Sequence, residues 1–239
     1  MRRAFLHGFL GDPEVWTGIA GPDDVVLVLP GHGAPRASIT IEGAEIIDAS
    51  ALHENWYASV AAIGEQVQKC DVAIGYSMGA RVALGLLATG RVPRAILISV
   101  NPGLPEAEKA ARRETDAAWA RRFRTEPLPA VLDAWEAQPL FATQARVSSV
   151  LLEARRARRL MHDPEQLARS LETMGLAEMP DYRSLITEDN CELIVGADDA
   201  RYVALARALA APTLTIAESG HDPLLEQPAA LAKMLASPP

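Results

Sequence analysis

Residues 71–84 read DVAIGYSMGARVAL, an apolar, strand-like run that leads into Gly75-Tyr76-Ser77-Met78-Gly79 and then into a helical pattern. A G-x-S-x-G string between a strand and a helix favours a sharp turn that presents one serine at the strand end. The two glycines let strand and helix approach closely, and the helix N-terminus aims backbone N–H groups at developing negative charge. The stretch predicts a nucleophilic serine at Ser77, with an ordinary helix cap as the alternative interpretation.

Two further residues follow in the chain order that a serine–acid–histidine triad requires after such a turn. His221 lies in ESGHD, residues 218–222, and supplies an imidazole of suitable pKa as general base. Asp199 follows an apolar run and would orient that imidazole and stabilise its protonated form. Asp198 is adjacent, so the residues alone leave either carboxylate open.

The first strand-like run ends in FLHGFLG, residues 5–11. A strand followed by a His-Gly turn at this place commonly donates one N–H of an oxyanion hole, here from Phe9. The backbone N–H of Met78, directly after the serine, is the predicted second donor. His32, in the loop LPGHG at residues 29–33, is interpreted as a residue that fixes the loop.

Length and composition favour one α/β domain with an insertion. The chain has 239 residues, 49% of them hydrophobic, and no apolar run long enough for a signal sequence or a bilayer span, so we expect a soluble, cytoplasmic protein. Its net charge of −8 opposes nonspecific nucleic-acid binding. Ten of its twenty arginines nevertheless fall within residues 112–159, beside only six acidic residues, which predicts a local cationic region.

Strand-like runs occur at residues 3–6, 25–29, 71–75, 94–99, 191–196 and 213–217, mostly without polar alternation. Helical patterns at 55–68, 77–89, 200–209 and 223–235 separate most of them, which predicts a doubly wound, mostly parallel sheet of about six strands with a trimmed N-terminal edge. The alternation of strand-like and helical segments stops between residues 105 and 189. We therefore expect a core formed by 1–104 and 190–239, with 105–189 inserted as a helical cap over the carboxyl ends of the strands, where ligands bind.

The expected ligand is a small anionic molecule. Arg81 lies one helical turn after Ser77, and a guanidinium beside a nucleophile suggests a carboxylate substrate. His7, His32 and His221 show no metal-ligand spacing, so we expect neither a metal nor a cofactor. Cys70 and Cys191 are interpreted as buried small hydrophobes, and no membrane or nucleic-acid partner is expected for what would be a monomer or small homo-oligomer.

Several longer motifs resemble one branch of the α/β-hydrolase fold over nearly the whole chain, namely the 2-succinyl-6-hydroxy-2,4-cyclohexadiene-1-carboxylate synthases of menaquinone biosynthesis. The motifs are LHGFLGDPEVW (6–16), GYSMGARVAL (75–84), NPGL (101–104), RRFRTEPL (121–128), AWEAQPLF (134–141), DPEQLARSLETMG (163–175) and GHDPLLEQP (220–228). General hydrolases share the first, second and last only loosely, so the motifs of the inserted region distinguish this branch.

The resemblance implies a lyase that eliminates pyruvate from 2-succinyl-5-enolpyruvyl-6-hydroxy-3-cyclohexene-1-carboxylate. Ser77, activated by His221 and Asp199, would take a proton from the substrate, while the N–H groups of Phe9 and Met78 hold the enolate oxygen. By the same resemblance the carboxylates of the substrate meet Arg81, Arg112 and Arg159. Arg155, Arg156 and Arg158 lie near Arg159 in the sequence, which leaves open which of these four arginines faces the pocket. Tyr76 and Trp135 match pocket-lining aromatic positions, and Gln138 is a weaker pocket candidate.

Three positions depart from the pattern of that branch: Glu136, where a neutral or aromatic residue is common, Asp222, where asparagine is frequent, and Leu224, where a second histidine is frequent. Two alternatives remain open beside the lyase. One is a carboxylesterase, thioesterase or carbon–carbon bond hydrolase that uses Ser77 as a covalent nucleophile. The other is a ligand-binding module that keeps the fold without catalysis.

Overall fold

The computed structural model describes residues 1–33, 41 and 43–236. In this part of the chain seven strands form one sheet: β1 (Arg3–Leu6), β2 (Val25–Val28), β3 (Glu45–Asp48), β4 (Val72–Tyr76), β5 (Arg94–Ile98), β6 (Cys191–Gly196) and β7 (Thr213–Ile216). Their spatial order is β3-β2-β1-β4-β5-β6-β7, and each neighbouring pair is parallel. The predicted α/β fold with a parallel sheet is confirmed.

The helices of the described residues are α1 (Trp56–Gln66), α2 (Met78–Ala88), α3 (Glu106–Thr125), α4 (Leu128–Glu136), α5 (Ser149–Arg159), α6 (Pro164–Met174), α7 (Ala200–Arg207), α8 (Pro223–Glu226) and α9 (Pro228–Ala236). Short 3-10 segments occur at Pro13–Trp16, Pro139–Arg146 and Arg183–Leu185. None of these helices combines the length and the apolar composition that crossing a bilayer requires.

The sequence missed strand β3. It pairs with β2 alone, in the register Val25↔Glu45 to Val28↔Asp48, and its residues are half-buried or exposed. Such an edge strand needs no continuous apolar run. Its two isoleucines lie between charged residues, and this short apolar pattern is too weak to predict a strand. The sheet edge on this side is therefore a strand that follows β2 in sequence.

The helix predicted over residues 223–235 is two helices. Gln227, between α8 and α9, has φ −143° and ψ 55°, outside the helical region. Pro228 explains the break, because a proline disfavours helical geometry in the residue before it and has no N–H to continue the ladder.

Apolar side chains cover both faces of the sheet, and a third cluster lies outside it. That cluster joins α3, α4 and α6 through Ala120, Phe123, Val131, Leu132, Leu167, Ala168 and Leu171, and Leu10 from the loop after β1 belongs to it. Helices α3, α4 and α6 are thus packed on one another and on a loop at the carboxyl end of β1. The division into a core and a cap at residues 105 and 189 stays a prediction.

Candidate active site

The turn between β4 and α2 places Ser77 at the carboxyl end of the central strand. Ser77 has φ 51° and ψ −106°, a strained conformation for a residue with a side chain. A Cβ on Gly75 would lie 2.3 Å from the carbonyl oxygen of Gly79, and a Cβ on Gly79 would lie 2.2 Å from that of Leu6. Only glycine fits at either position, so the glycines of the motif permit the close strand–helix contact that holds the serine outward.

Ser77, His221 and Asp199 form a hydrogen-bonded chain. The Nε2 atom of His221 is 3.2 Å from Ser77 Oγ, and its Nδ1 atom is 3.0 Å from Asp199 Oδ2. His221 and Asp199 are both buried. This geometry lets the imidazole accept the serine proton at Nε2 while the carboxylate holds the Nδ1–H tautomer.

The two neighbouring aspartates lie in different surroundings. Asp199 caps α7, where its Oδ1 accepts the Tyr202 N–H at 3.2 Å while Oδ2 faces His221. Asp198 instead pairs with the exposed Arg146 at 2.7 Å on the protein surface. Of the two carboxylates that the sequence left open, the structure brings Asp199 to the histidine.

The backbone N–H groups of Phe9 and Met78 line the same space as Ser77 and donate to no other described residue. The loop that carries Phe9 is closed by a 3.0 Å hydrogen bond from the Gly11 N–H to the Gly8 carbonyl. Met78 is the first residue of α2, whose N-terminal dipole favours negative charge. Two free donors beside the serine can stabilise an oxyanion.

Two buried histidines, His7 and His32, fasten this loop to the loop after β2. The Leu29 N–H donates to His7 Nε2 at 3.1 Å, and the Leu10 N–H donates to His32 Nε2 at 3.0 Å. Each Nδ1 lies within 2.9 Å of a backbone carbonyl, so each ring is neutral with its proton on Nδ1. Burial lowers the pKa of both rings, that of His32 well below its usual value. Their contacts are structural, as the sequence indicated for His32.

A cavity of about 460 Å³ opens beside Ser77 and His221. All the predicted site residues except Asp199 line it, and Asp199 lies behind His221. The lining members are Phe9, Tyr76, Ser77, Met78, Arg81, Arg112, Trp135, Arg159 and His221. Gln138 also lines the cavity, and its side-chain amide donates to the Trp135 carbonyl at 3.0 Å.

Arg81 is a half-buried cation without a carboxylate partner among the described residues. Its guanidinium donates to the Met174 carbonyl at 2.7 Å. Burial, with the nearby Arg112 guanidinium, lowers the pKa of Arg81 to about 10, so the side chain stays charged at neutral pH. A desolvated positive charge in the wall of a cavity is suited to binding an anion.

Arg112, on α3, is held differently. Its Nε donates to both oxygens of the buried Asp116, at 3.0 and 2.9 Å. The two terminal nitrogens have no partner in the described part of the chain, and the side chain is 35% exposed at the cavity wall. Asp116 thus orients Arg112 and leaves two donor groups available.

The arginines near the end of α5 divide between cavity and surface. Arg155, Arg158 and Arg159 line the cavity, whereas Arg156 pairs with Asp133 at 2.7 Å outside it. Arg159 donates to Glu136 at 2.7 Å, and Arg158 donates to Asp12 at 2.8 Å. Sequence reasoning had left the choice among these residues open, because their helical phase relative to the cavity depends on packing.

Aromatic side chains surround the reacting groups. The Tyr76 ring lies 5.7 Å from the His221 ring, and burial raises the pKa of its phenol well above the usual range. The Trp135 ring lies 5.0 Å from Phe9 and 4.8 Å from Trp119. Each of the two predicted aromatic residues therefore covers a different side of the cavity.

The sequence missed Tyr202, whose ring lies 4.4 Å from His221, and Trp119, which also lines the cavity. Tyr202 could have been found from its place in the first turn of the helix that Asp199 caps. Trp119 carries no such signal, because an aromatic residue on an amphipathic helix is usually part of a core.

Two of the unusual residues noted in the sequence lie beside the histidine. Asp222 is buried, its Oδ2 is 3.8 Å from Arg155 Nη1, and burial raises its pKa. Leu224 lines the cavity and belongs to the apolar cluster on one face of the sheet.

Comparison with known proteins gives a consistent result. Residues 4–234 match the model of the alpha/beta hydrolase family. The chain is 35% identical over 243 residues to the 2-succinyl-6-hydroxy-2,4-cyclohexadiene-1-carboxylate synthase of Citrobacter koseri, covering 97% of this chain and 91% of that protein. It is 35% identical over 254 residues to the protein of the same name from Klebsiella pneumoniae, with 98% and 93% covered.

A solved structure of MenH from S. aureus is also similar. It superimposes with a TM-score of 0.83 at 25% sequence identity, and the match covers 98% of this chain and 91% of that one. The chain belongs to the alpha/beta hydrolase family, and within it to the family of 2-succinyl-6-hydroxy-2,4-cyclohexadiene-1-carboxylate synthases.

Proposed function

We propose that this protein eliminates pyruvate from 2-succinyl-5-enolpyruvyl-6-hydroxy-3-cyclohexene-1-carboxylate and forms 2-succinyl-6-hydroxy-2,4-cyclohexadiene-1-carboxylate. One observation carries the proposal: the hydrogen-bonded chain from Ser77 to Asp199 opens into a cavity whose wall holds the half-buried Arg81 cation, which pairs with no carboxylate of the described residues. A base next to an unneutralised guanidinium fits a substrate that carries several carboxylates and must lose a proton.

In this reaction Ser77 acts as the base. His221 accepts the Oγ proton, and the oxygen removes the proton from the ring carbon that bears the succinyl group. The electron pair of the broken C–H bond moves onto the succinyl carbonyl as an enolate. The Phe9 and Met78 N–H groups hold this oxygen, because preorganised donors stabilise an enolate as they would a tetrahedral oxyanion.

Collapse of the enolate completes the elimination. The electron pair returns to the ring, the ring double bond shifts, and the C–O bond to the enolpyruvyl group breaks. The enolpyruvyl group departs as the enolate of pyruvate, which takes up the proton held by His221 and becomes pyruvate, and the ring keeps the conjugated diene. No acyl-serine forms, so Ser77 differs here from the nucleophile of an esterase.

The arginines hold the carboxylates of the substrate. Arg81 and Arg112 share one region of the cavity with Asp116, and Arg159 lines another part of the cavity from α5. Tyr76 and Trp135 contact the ring. The division into a core and a helical cap over residues 105–189 belongs to this proposal, since Arg112, Trp135 and Arg159 all come from that segment. A cytoplasmic location and a monomeric or small homo-oligomeric state are also part of this proposal.

A pyruvate-release assay tests the function. We expect the protein to release pyruvate from the enolpyruvyl substrate and to turn over simple esters negligibly. Ser77→Ala should lower the rate by about a thousandfold or more, because the base is lost. The exposed Ser184→Ala is the matched control and should retain the rate of the unchanged protein.

Other outcomes identify the alternatives. Rapid ester cleavage with an initial burst and no pyruvate release would point to a covalent serine hydrolase. Substrate binding with equal affinity in the unchanged protein and in Ser77→Ala, without turnover in either, would indicate a binding module.

A further inference from the structure

A cluster of buried charges lies beside the histidine, on α5 and the segments that face it. It consists of Arg155 and Arg159 with Glu136 and Asp222. Both arginines are more than nine-tenths buried, at 8% and 7% exposure, and both line the cavity. Of these four residues, only Arg159 has a role in the mechanism above.

Arg155 is close to two carboxylates but hydrogen-bonded to neither. Its Nη2 is 3.8 Å from Glu136 Oε1, and its Nη1 is 3.8 Å from Asp222 Oδ2. These distances are too long for a hydrogen bond. Among the residues that the structure describes, the one acceptor that it bonds is the neutral amide oxygen of Gln144, at 2.8 Å.

The guanidinium groups of Arg155 and Arg159 both have N–H donors that no described residue accepts. The Nε atoms of the two residues are buried without a hydrogen-bond partner among the described residues. An unpaired donor on a buried charged group is costly, so folding alone does not account for this arrangement. An anion that enters the cavity would supply the missing acceptors.

Glu136 is the shared acidic partner of this group. Its Oε1 accepts from Arg159 at 2.7 Å, and its Oε2 accepts from Arg156 at 3.2 Å. One carboxylate thus faces three guanidinium groups of one helix, Arg155 being the third at 3.8 Å. A second carboxylate in the cavity would compete with Glu136 for the same N–H groups.

We propose that Arg155, with Arg159, forms a carboxylate-binding site of this chain, in which Glu136 is a resident counter-ion that a carboxylate of the substrate displaces. The site lies on the Asp222 side of the cavity, apart from the Arg81 and Arg112 region. This inference rests on the proposed function, because it assigns a further residue to the anionic substrate of that reaction.

Substitutions of Arg155 and of Glu136 should change the KM in opposite directions, which distinguishes an effect on substrate binding from general damage to the protein. In Arg155→Met the KM for the enolpyruvyl substrate should rise at least tenfold, with kcat within about threefold, because a ground-state contact is lost. In Glu136→Gln the KM should fall several-fold, since a competing negative charge is removed. Arg155→Lys should recover part of the loss, because it keeps the charge without the planar fork.

Pyruvate, as a small monocarboxylate, serves as the binding probe. Its inhibition constant, and the rise in melting temperature that it produces, should weaken in Arg155→Met and strengthen in Glu136→Gln. The exposed Arg121→Gln removes one positive charge away from the cavity and should change neither. If Arg155→Met does not fold, Arg155→Lys and Glu136→Gln carry the same comparison.

The results separate this inference from the proposed function. If the unchanged protein releases pyruvate but the KM and the pyruvate inhibition constant are unaltered in both the Arg155 and Glu136 variants, the carboxylate site is wrong and the function stands. A lower melting temperature with unaltered KM would likewise assign Arg155 to structure alone. If the unchanged protein releases no pyruvate, the proposed function fails whatever the variants bind.

Discussion

Arg81 occupies a position where binding and stability oppose each other. Its guanidinium is half-buried and bonded to one backbone carbonyl, and Asp116, an acidic group whose charge acts on it, is already engaged by Arg112. Burying an incompletely paired charge is unfavourable for folding. The same arrangement is favourable for an anionic ligand, because the attraction is strong where water is excluded.

The variant Arg81→Met should show both effects. We expect the free energy of unfolding to rise by about 1 kcal/mol, since an apolar chain of similar size replaces a buried charge. We expect kcat/KM for pyruvate release to fall by about a hundredfold, since a desolvated charge pair with the substrate is lost. Urea unfolding and steady-state kinetics measure the two quantities.

Arg124→Met is the control for Arg81→Met, because Arg124 is paired with Glu165 and Glu172 away from the cavity. It should leave kcat/KM unaltered. An unaltered kcat/KM in Arg81→Met as well would remove the argument for a carboxylate beside the serine.

At the scale of elements, the contact between β4 and α2 depends on two glycines. A Cβ at residue 79 would meet the Leu6 carbonyl oxygen at 2.2 Å, and one at residue 75 would meet the Gly79 carbonyl oxygen at 2.3 Å. These neighbours are backbone atoms of β1 and α2, which cannot rotate away as a side chain could. Helix and sheet would have to separate.

Gly79→Ala should therefore destabilise the protein by about 3 kcal/mol or more, because relief of the clash requires backbone shifts in a packed core. Thermal and urea unfolding measure the loss. Gly21→Ala is the matched control, since its Cβ would be 3.7 Å from the nearest atom, an ordinary contact. Equal stability of the two variants would contradict the proposed packing at the turn.

For the molecule as a whole, buried neutral histidines link stability to pH. Burial lowers the pKa of His7, of His32 and of His162, the last to about 4. In the unfolded chain these residues take up protons near pH 6.5, whereas the folded protein resists protonation. The unfolded state therefore binds more protons below that pH, and stability must fall as the pH falls.

Between pH 7.5 and 5.5 we expect the free energy of unfolding to fall by about 1.4 kcal/mol for each histidine whose folded pKa lies well below 5.5. The raised pKa of Asp222 acts in the opposite direction and reduces the total. Urea unfolding at the two pH values measures the loss. His32→Gln keeps a hydrogen-bond donor and an acceptor but does not ionise in this pH range. The free energy of unfolding of this variant should therefore fall less between the two pH values, by the contribution of one histidine. An equal fall in the variant and the unchanged protein would contradict the assignment of His32.

The parts of the protein that sequence reasoning reached are those encoded by local patterns. Apolar runs at five of the six predicted strands reflect burial on both faces, whereas β7 at the sheet edge is largely exposed. The parallel α/β fold that the runs indicated is confirmed. The motif around Ser77 can be recognised in the sequence because a Cβ at position 75 or 79 would clash with backbone atoms, so both positions require glycine. The resemblance to the synthases is confirmed by relatives 35% identical over nearly the whole chain.

Other features depended on how distant segments pack. Strand β3 is an edge strand without a continuous apolar run, and the arginine-rich end of α5 gives no local sign of which side chains enter the cavity. The choice between Asp198 and Asp199 was likewise not local, because Arg146, far along the chain, engages one of them.

Sequence by itself determined the fold class, the reactive turn and the chain order of the triad, because each can be inferred from residue types in short local segments along the chain. Only the tertiary structure decided that Arg81 has no carboxylate partner in the described part of the chain while Arg155 and Arg159 share Glu136. Ion pairs are settled by distances between segments far apart in sequence, and one ångström separates a hydrogen-bonded pair from an unpaired donor.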